Sequence, residues 1–318
     1  MVFDFLKSLF RKSDLPPPTL GMGVGELVRR LGLRFEELQN VPITYHTFTI
    51  PKRRGGTRTI TAPNLQLKAV QRTILRRLLS RLAVHPAAVG FEKGQSIVSH
   101  ARRHAFKPVV VKLDIQDFFG SISTKRVHAY FRHIGWNDEA ARLLTKLTTY
   151  NGALPQGAPT SPKLSNLVNY RLDARLEALM RGDQDKLRVD PDTGRTIAVP
   201  ARAYGHYSRY ADDITLSFPH DGRHINTFIH QVKQIVEDEG YRLHTKKKLR
   251  IMREHDRQQV TGLVVNRGVR LPRETRRWLR AVEHHIRYGR PATLSVAEIQ
   301  GWRALQKMIA QQAAPRRG

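Results

Sequence analysis

The chain contains no cysteine, which excludes disulfides, thiolate zinc sites and a cysteine nucleophile and suits a reducing interior. It also lacks any run near the ~20 apolar residues that a membrane-spanning helix needs. Its best stretch, Val109 to Val111, meets Lys112 at once. Acids are scarce: 27 Asp and Glu stand against 55 Lys and Arg, a formal net charge of +28. Among cellular polyanions, so cationic a chain has nucleic acid as the first partner to test. No fixed period repeats, so a solenoid is excluded. With 40% hydrophobic and 26% charged residues over 318 positions, the chain is expected to bury a core with lobes and to work as a soluble cytoplasmic globule without a membrane partner.

Met1 to Lys12 carries Phe3, Phe5, Leu6, Leu9 and Phe10 among basic residues and reads as a terminal packing helix, an interfacial helix being the alternative. Pro16-Pro17-Pro18 follows as a linker. Leu27, Leu31, Phe35 and Leu38 predict one small helix over Gly25 to Leu38. Tyr45 to Ile50 and Arg58 to Thr61 predict a hairpin with the basic loop 51–57 at its tip. From Gln66 to Leu82, the stripe Leu67, Val70, Ile74, Leu78 and Leu82 predicts a helix with Lys68, Arg72, Arg76 and Arg77 off the buried side. A strand is expected over Val109 to Ile115, and helices over Ser123 to Gly135 and Pro162 to Met180. A polar insertion covers 181–203. Strand, turn and strand return at Ser208 to Phe218, then a helix at Arg223 to Glu239. Short strands near Leu249 to Met252 and Val260 to Val265 precede a helical tail from Pro272.

Period-two alternation puts Val109, Val111, Leu113 and Ile115 on one strand face and Asp114 on the other. In Tyr210-Ala211-Asp212-Asp213, two adjacent acids occupy the expected hairpin tip between strand formers. Alone, an Asp-Asp pair is most simply a solvated turn. Between apolar strands, with a second strand supplying Asp114 and the loop Leu154-Pro155-Gln156-Gly157-Ala158-Pro159-Thr160-Ser161-Pro162 between them, it points to chemistry. Crowded carboxylates repel, and the usual remedy is a divalent ion with hard oxygen ligands, which for phosphate chemistry is Mg2+. Two such ions would serve an attacking hydroxyl and a leaving pyrophosphate.

These segments, in this order, resemble a reverse transcriptase over roughly residues 55 to 290, and look most like the bacterial retron reverse transcriptases. Val111-Lys112-Leu113-Asp114 resembles the family's first catalytic strand, the Leu154 to Pro162 loop its template and nucleotide loop, and Tyr210 to Asp213 its metal-binding hairpin. Two elements point to the retron branch. Val260-Thr261-Gly262 resembles a triplet near the end of those enzymes, and His100-Ala101-Arg102-Arg103-His104 their Asn-Ala-x-x-His element, with His100 in place of Asn.

The resemblance implies an α+β right-hand polymerase fold. Residues 1–24 would form an N-terminal helix and linker, 25–108 with part of 123–160 the fingers, 109–258 a palm of antiparallel sheet plus helices with the insertion near 181–203, and 259–318 a short helical thumb. It makes Asp114, Asp212 and Asp213 catalytic ligands of two Mg2+ ions, with the carbonyl of Ile115 added. Phe119, five positions after Asp114, would lie beneath the sugar and exclude a ribose 2′-hydroxyl, although by the residues alone either Phe118 or Phe119 could be a core ring. Gln156 and Gly157 would hold nucleotide and template base, and Arg58 and Lys52 the triphosphate. Lys247, with Lys246 beside it, matches the lysine that protonates pyrophosphate, although three lysines in a row also describe a plain basic surface.

Residues 241 to 290 hold 15 Lys or Arg against 4 Asp or Glu. There Arg273, Arg277, Arg280, His284 and Arg287 recur on one helix face beside an apolar stripe of Leu279, Val282 and Ile286. That is the expected form of a helix tracking the phosphates of an RNA-containing duplex. Retron membership further implies a cognate structured noncoding RNA as template and primer, deoxynucleotides as substrate and an RNA–DNA hybrid product, the multicopy single-stranded DNA. It also implies antiviral defence with an effector protein. Too few residues follow the thumb for a nuclease fold, so RNA removal is expected to fall to a host ribonuclease H. The alternatives are another bacterial reverse transcriptase working without a retron RNA, or a catalytically silent RNA-binding scaffold.

Overall fold

The structure, a computed structural model, describes residues 20–52, 55–182, 186–189, 196–199, 204–222, 224–244, 249–291 and 293–313. The expected Met1 to Lys12 helix, the proline linker, the centre of the insertion, Lys246 and Lys247 lie outside them. Helices and antiparallel strands are interspersed along the chain, an α+β fold. Two compact units are built, each from three separate stretches.

The first unit gathers Met1–Phe91, Ile115–Arg175 and Ile235–Arg242. Its strands β1 (Tyr45–Pro51) and β2 (Thr57–Pro63) form the expected hairpin. The single helix expected over Gly25 to Leu38 is two, Val24–Leu31 and Phe35–Gln39. Gly32, at φ +58, donates its N–H to the Val28 carbonyl and ends the first in a left-handed cap. The stretch Pro162 to Met180 likewise divides into Ser161–Val168 and Tyr170–Arg181. At the break, the buried Asn169 turns its amide to the Ser165 carbonyl and accepts from Tyr241 Oη at 2.7 Å and Arg126 Nη2 at 3.2 Å. The Asp138–Thr148 helix was not anticipated, although Asn137 caps it through the Ala140 N–H and Asp138 and Glu139 suit its first turn. Glu239, its side chain 1% exposed, is held by Arg126 at 3.5 Å, Arg171 at 3.0 Å and Arg175 at 2.9 Å.

The second unit gathers Glu92–Asp114, Leu176–Gln234 and Leu243–Gly318. Its strands are β3 (Val109–Asp114), β4 (Lys186–Val189), β5 (Thr196–Val199), β6 (His206–Tyr210), β7 (Asp213–Phe218), β8 (Arg250–Arg253), β9 (Gln259–Val260) and β10 (Leu263–Val264). A four-stranded antiparallel sheet runs β6-β7-β3-β8, while β4–β5 and β9–β10 are separate hairpins. The expected strand over Val260 to Val265 folds back on itself. Thr261 and Gly262, at φ +44 and +85, form a two-residue turn of the mirror-image kind that matches strand twist. β3 is buried on both faces, since Val110 on the face of Asp114 is as inaccessible as Val109 and Val111. Val110 packs with Val98, Ala101, Val260, Leu263 and Leu279 in a core lined by the helices Ile97–Arg103 and Arg273–Arg287.

Candidate functional site

Residues directly opposite in an antiparallel pair share a sheet face. β3 ends on Asp114, whose partner is Asp213, the first residue of β7, and Asp213 also faces Tyr210 at the end of β6. The turn is therefore Ala211-Asp212, and the expectation that both acids of the pair share the tip is corrected: Asp212 is in the turn, Asp213 on the strand. Ala211 sits at φ +56, a conformation that costs an L-residue on the order of 1 kcal/mol. Arg209, wholly buried, donates from Nη1 to the Ala211 carbonyl at 3.1 Å and fixes that turn.

Lys112 shares this face, two residues before Asp114, and its Nζ lies 3.4 Å from Asp213 Oδ1. His244 places Nε2 3.6 Å from Asp114 Oδ1 and donates its backbone N–H to the Asp114 carbonyl at 2.8 Å. A lysine thus stands beside Asp213 and an imidazole beside Asp114. Among the described residues, no group of three or more His, Asp or Glu side chains is gathered as a metal ion requires. The donor chemistry nonetheless fits Mg2+: Asp114, Asp212 and Asp213 offer hard carboxylate oxygens, and the Lys112 ammonium already stands against one of them. Ile115, named for its carbonyl, follows β3 with a buried side chain.

Behind the hairpin, on the same face, His104 brings Nδ1 to 2.8 Å from Ser217 Oγ and Nε2 to 2.6 Å from Ser208 Oγ. Burial holds its pKa well below the usual 6.5. His100 is also wholly buried, with its ring 5.7 Å from Tyr210 and, among the described residues, no hydrogen-bond partner for either nitrogen. Burial, then Lys112 and Arg103, pushes its pKa down to about 3. Of the Val260-Thr261-Gly262 element, Val260 is buried, and Thr261 Oγ1 donates to the Ile97 carbonyl at 3.1 Å.

In the first unit, Lys52 and Arg58 are exposed on the β1–β2 hairpin, where the Lys52 N–H donates to the Gly56 carbonyl at 2.9 Å across the tip. The Thr61 N–H donates to the Gln156 carbonyl at 2.8 Å, fastening the Leu154 to Pro162 loop to β2. A Cβ on Gly157, at φ +141, would lie 2.8 Å from the Thr61 oxygen. The close approach that this glycine permits is to the chain's own strand. Phe118 is buried against Tyr241, while Phe119 is partly exposed between Phe118 and Phe91, at centroid distances of 5.4 and 6.4 Å. The more exposed of the two rings is therefore Phe119.

Arg273, Arg277, Arg280, His284 and Arg287 are all exposed on their helix, whose opposite side buries Leu279 and Val282. Ile286, expected in that apolar stripe, is 44% exposed. Lys247 lies outside the described residues. Sequence reasoning missed Lys112, Arg209 and His244. Lys112 had a signal in its two-residue offset from Asp114; a buried arginine beneath a turn and a histidine beyond it had none.

An antiparallel sheet whose acidic hairpin faces an Asp-tipped strand, on a strongly cationic chain, is the arrangement that the reverse transcriptase resemblance implies. Residues 50–277 match the family described as reverse transcriptase (RNA-dependent DNA polymerase). The retron Mx162 and retron Mx65 reverse transcriptases of Myxococcus xanthus are each 36% identical, over 306 residues (83% of this chain, 59% of the relative) and 295 residues (86% and 63%). The retron Ec86 reverse transcriptase of Escherichia coli is 33% identical over 263 residues (81% and 74%). The chain belongs to the reverse transcriptase family, in its retron-type branch. It spans less than two thirds of the length of the two Myxococcus relatives.

Proposed function

We propose that the chain is an RNA-directed DNA polymerase of retron type, copying a cognate structured noncoding RNA into multicopy single-stranded DNA by attack of a primer hydroxyl on a deoxynucleotide α-phosphate. The observation that carries this is the register that sets Asp114 opposite Asp213 with Asp212 in the adjoining turn. The family uses divalent metal ions. Here Asp114, Asp212, Asp213 and the Ile115 carbonyl would hold two Mg2+ ions, which when bound lower the pKa of the attacking hydroxyl and neutralise the leaving pyrophosphate.

The chain's own groups supply the rest. Arg209 and the strained Ala211 preset the hairpin, so its carboxylates need not reorganise. Lys112 offsets carboxylate repulsion before substrate arrives. Phe119 offers its exposed ring to the sugar and disfavours a 2′-hydroxyl; Gln156 and Gly157 orient the nucleotide, and Arg58 and Lys52 take the triphosphate. Arg273, Arg277, Arg280, His284 and Arg287 follow duplex phosphates. This reading keeps fingers over 25–108 with part of 123–160, palm over 109–258 with the insertion near 181–203 and thumb over 259–318, with a host ribonuclease H, an effector protein and a cytoplasmic antiviral role as its wider setting.

The test is Asp212→Asn with Asp213→Asn, assayed by primer extension on RNA with deoxynucleotides. Synthesis should fall at least ~100-fold, by analogy with loss of a preorganised electrostatic group, while RNA affinity stays within about threefold. Undiminished synthesis would reject the assignment; absence of synthesis in the unmodified chain, with RNA still bound, would favour the silent scaffold.

A further inference from the structure

Phe106 takes no part in the reaction proposed above. Its ring is 72% exposed, and its backbone sits at φ +61, in the left-handed region that bulky residues avoid. Such strain persists only where the surroundings over-determine it. Here they do. His104, two residues earlier, is tied to two serines, and Ala105 is buried. The Phe106 N–H donates to the Val265 carbonyl at 3.1 Å. Buried Gln258 donates from its amide to the carbonyls of Lys107 at 2.9 Å and Pro108 at 3.0 Å. The ring leans toward Gly268, where an added Cβ would meet Phe106 Cζ at 3.5 Å. A large apolar side chain is thus held outward on a rigid backbone.

The two chain stretches that meet at Phe106 carry charge of one sign, with Glu254 and Asp256 tied beyond them to Asn266 through their carbonyls. Between Glu92 and Asp114 the sequence carries Lys93, Arg102, Arg103, Lys107 and Lys112 and no acid; between Asp256 and Glu274 it carries Arg257, Arg267, Arg270 and Arg273 and no acid. The hydrogen bond from Phe106 to Val265 and the approach to Gly268 join these two stretches. Arg267 and Arg270 are exposed on the second stretch, and Arg270 is fixed by paired backbone bonds to Val264 at 2.8 and 2.9 Å, whereas Arg102 donates to the Gln312 carbonyl. A fixed aromatic face among cations is how proteins hold single-stranded nucleic acid: a base stacks on the ring and the flanking phosphates meet the cations. Paired bases, already stacked on their neighbours, gain nothing from such a ring.

We infer that Phe106 is a stacking platform for an unpaired base of the RNA partner, with Arg267 and Arg270 on the neighbouring phosphates. The inference rests on the reading of RNA as this chain's partner. RNA is the occupant rather than DNA because the proposed reaction begins before any DNA exists.

The test uses the whole 318-residue chain, freed of copurifying nucleic acid, and fluorescence anisotropy with three labelled 12-mers of one sequence: single-stranded RNA, single-stranded DNA and blunt RNA duplex. Phe106→Asn removes the ring but suits the left-handed backbone; Phe106→Trp keeps an aromatic face. Loss of one stacked base should weaken single-stranded RNA binding about 10-fold in Phe106→Asn, with Phe106→Trp within about twofold of the native chain. Duplex affinity and the salt dependence of single-strand binding should stay unchanged, because no charge is altered. Trp fluorescence in Phe106→Trp should be quenched by single-stranded RNA beyond the quenching of the native chain. Unchanged single-strand affinity in Phe106→Asn would overturn the platform and leave the ring to a protein partner; equal losses on single strand and duplex would reduce it to a fold defect. A loss confined to DNA would overturn the choice of RNA. Primer extension by the native chain is a separate readout: if that failed while the stacking loss appeared, the polymerase reading would fall and the platform would stand.

Discussion

Two antiparallel hairpins, one in each unit, show how differently the same local element can be used. β1–β2 is a ribbon of seven register pairs that stays largely exposed, with Phe48 and Ile50 at 49% and 40% exposure. β6–β7 has five pairs, and all but its ends are buried, because β7 is also paired with β3. A two-stranded ribbon is marginal alone, and β1–β2 is fastened at its base, where Asn64 donates to the Pro42 carbonyl and Thr44 Oγ1 and Thr61 donates to Gln156. Cations on such a ribbon can follow a ligand. Carboxylates on a clamped ribbon cannot, and charge chemistry favours groups that need not move.

Beyond the loss of synthesis expected from the paired Asp→Asn change, the contrast can be broken at three levels. Arg209→Met should cost about 1–3 kcal/mol in urea unfolding, because the Ala211 carbonyl loses its buried donor; an unchanged midpoint would mean that the turn holds without it. Lys52→Ala with Arg58→Ala should raise the KM for deoxynucleotide about 10-fold through lost charge-assisted contacts and leave the unfolding midpoint within ~0.5 kcal/mol. An unfolding midpoint shift as large as that of Arg209→Met would show that the exposed hairpin is structural after all.

The third level concerns pH. The folded pKa of His100, about 3, lies below the ordinary 6.5, so between these values the unfolded chain binds the extra proton. Stability is present above about pH 6.5 and is lost as pH falls toward 3, by up to ~1.4 kcal/mol per pH unit from this residue. His104, lowered in the same direction, adds to the slope. Denaturant unfolding from pH 7 to 5 should show a shallower slope in His100→Asn; an equal slope would mean that His100 is not buried in its neutral form.

Much of this was legible in the sequence because local pattern and tertiary demand agree. The alternation around Asp114 and the spacing of Tyr210 to Asp213 give strands and acids that pairing then brings into register. Helix breaks at Gly32 and Asn169 were less visible, because an apolar stripe runs through both and only a cap or a side-chain hydrogen bond interrupts it. The Ile97–Arg103 helix was not marked as one, since its seven residues are too few for a periodic signal. His100 and His104 were matched as an element, but nothing in their spacing announces that serines on β6 and β7 would satisfy one ring and leave the other bare. Which acid lies in the turn depended on a one-residue choice of register, which composition does not decide.

The Glu239 knot bears on how the protein is made. Arg126, Arg171 and Arg175 wait for a carboxylate that lies far downstream, in the last of the three stretches composing their unit. During synthesis from the N-terminus, three guanidinium groups therefore lack their shared counter-charge until residue 239 has left the ribosome. Nascent chains halted before that point should be readily cut by protease around residues 115–175, and resistance should arrive in one step as Ile235–Arg242 emerges.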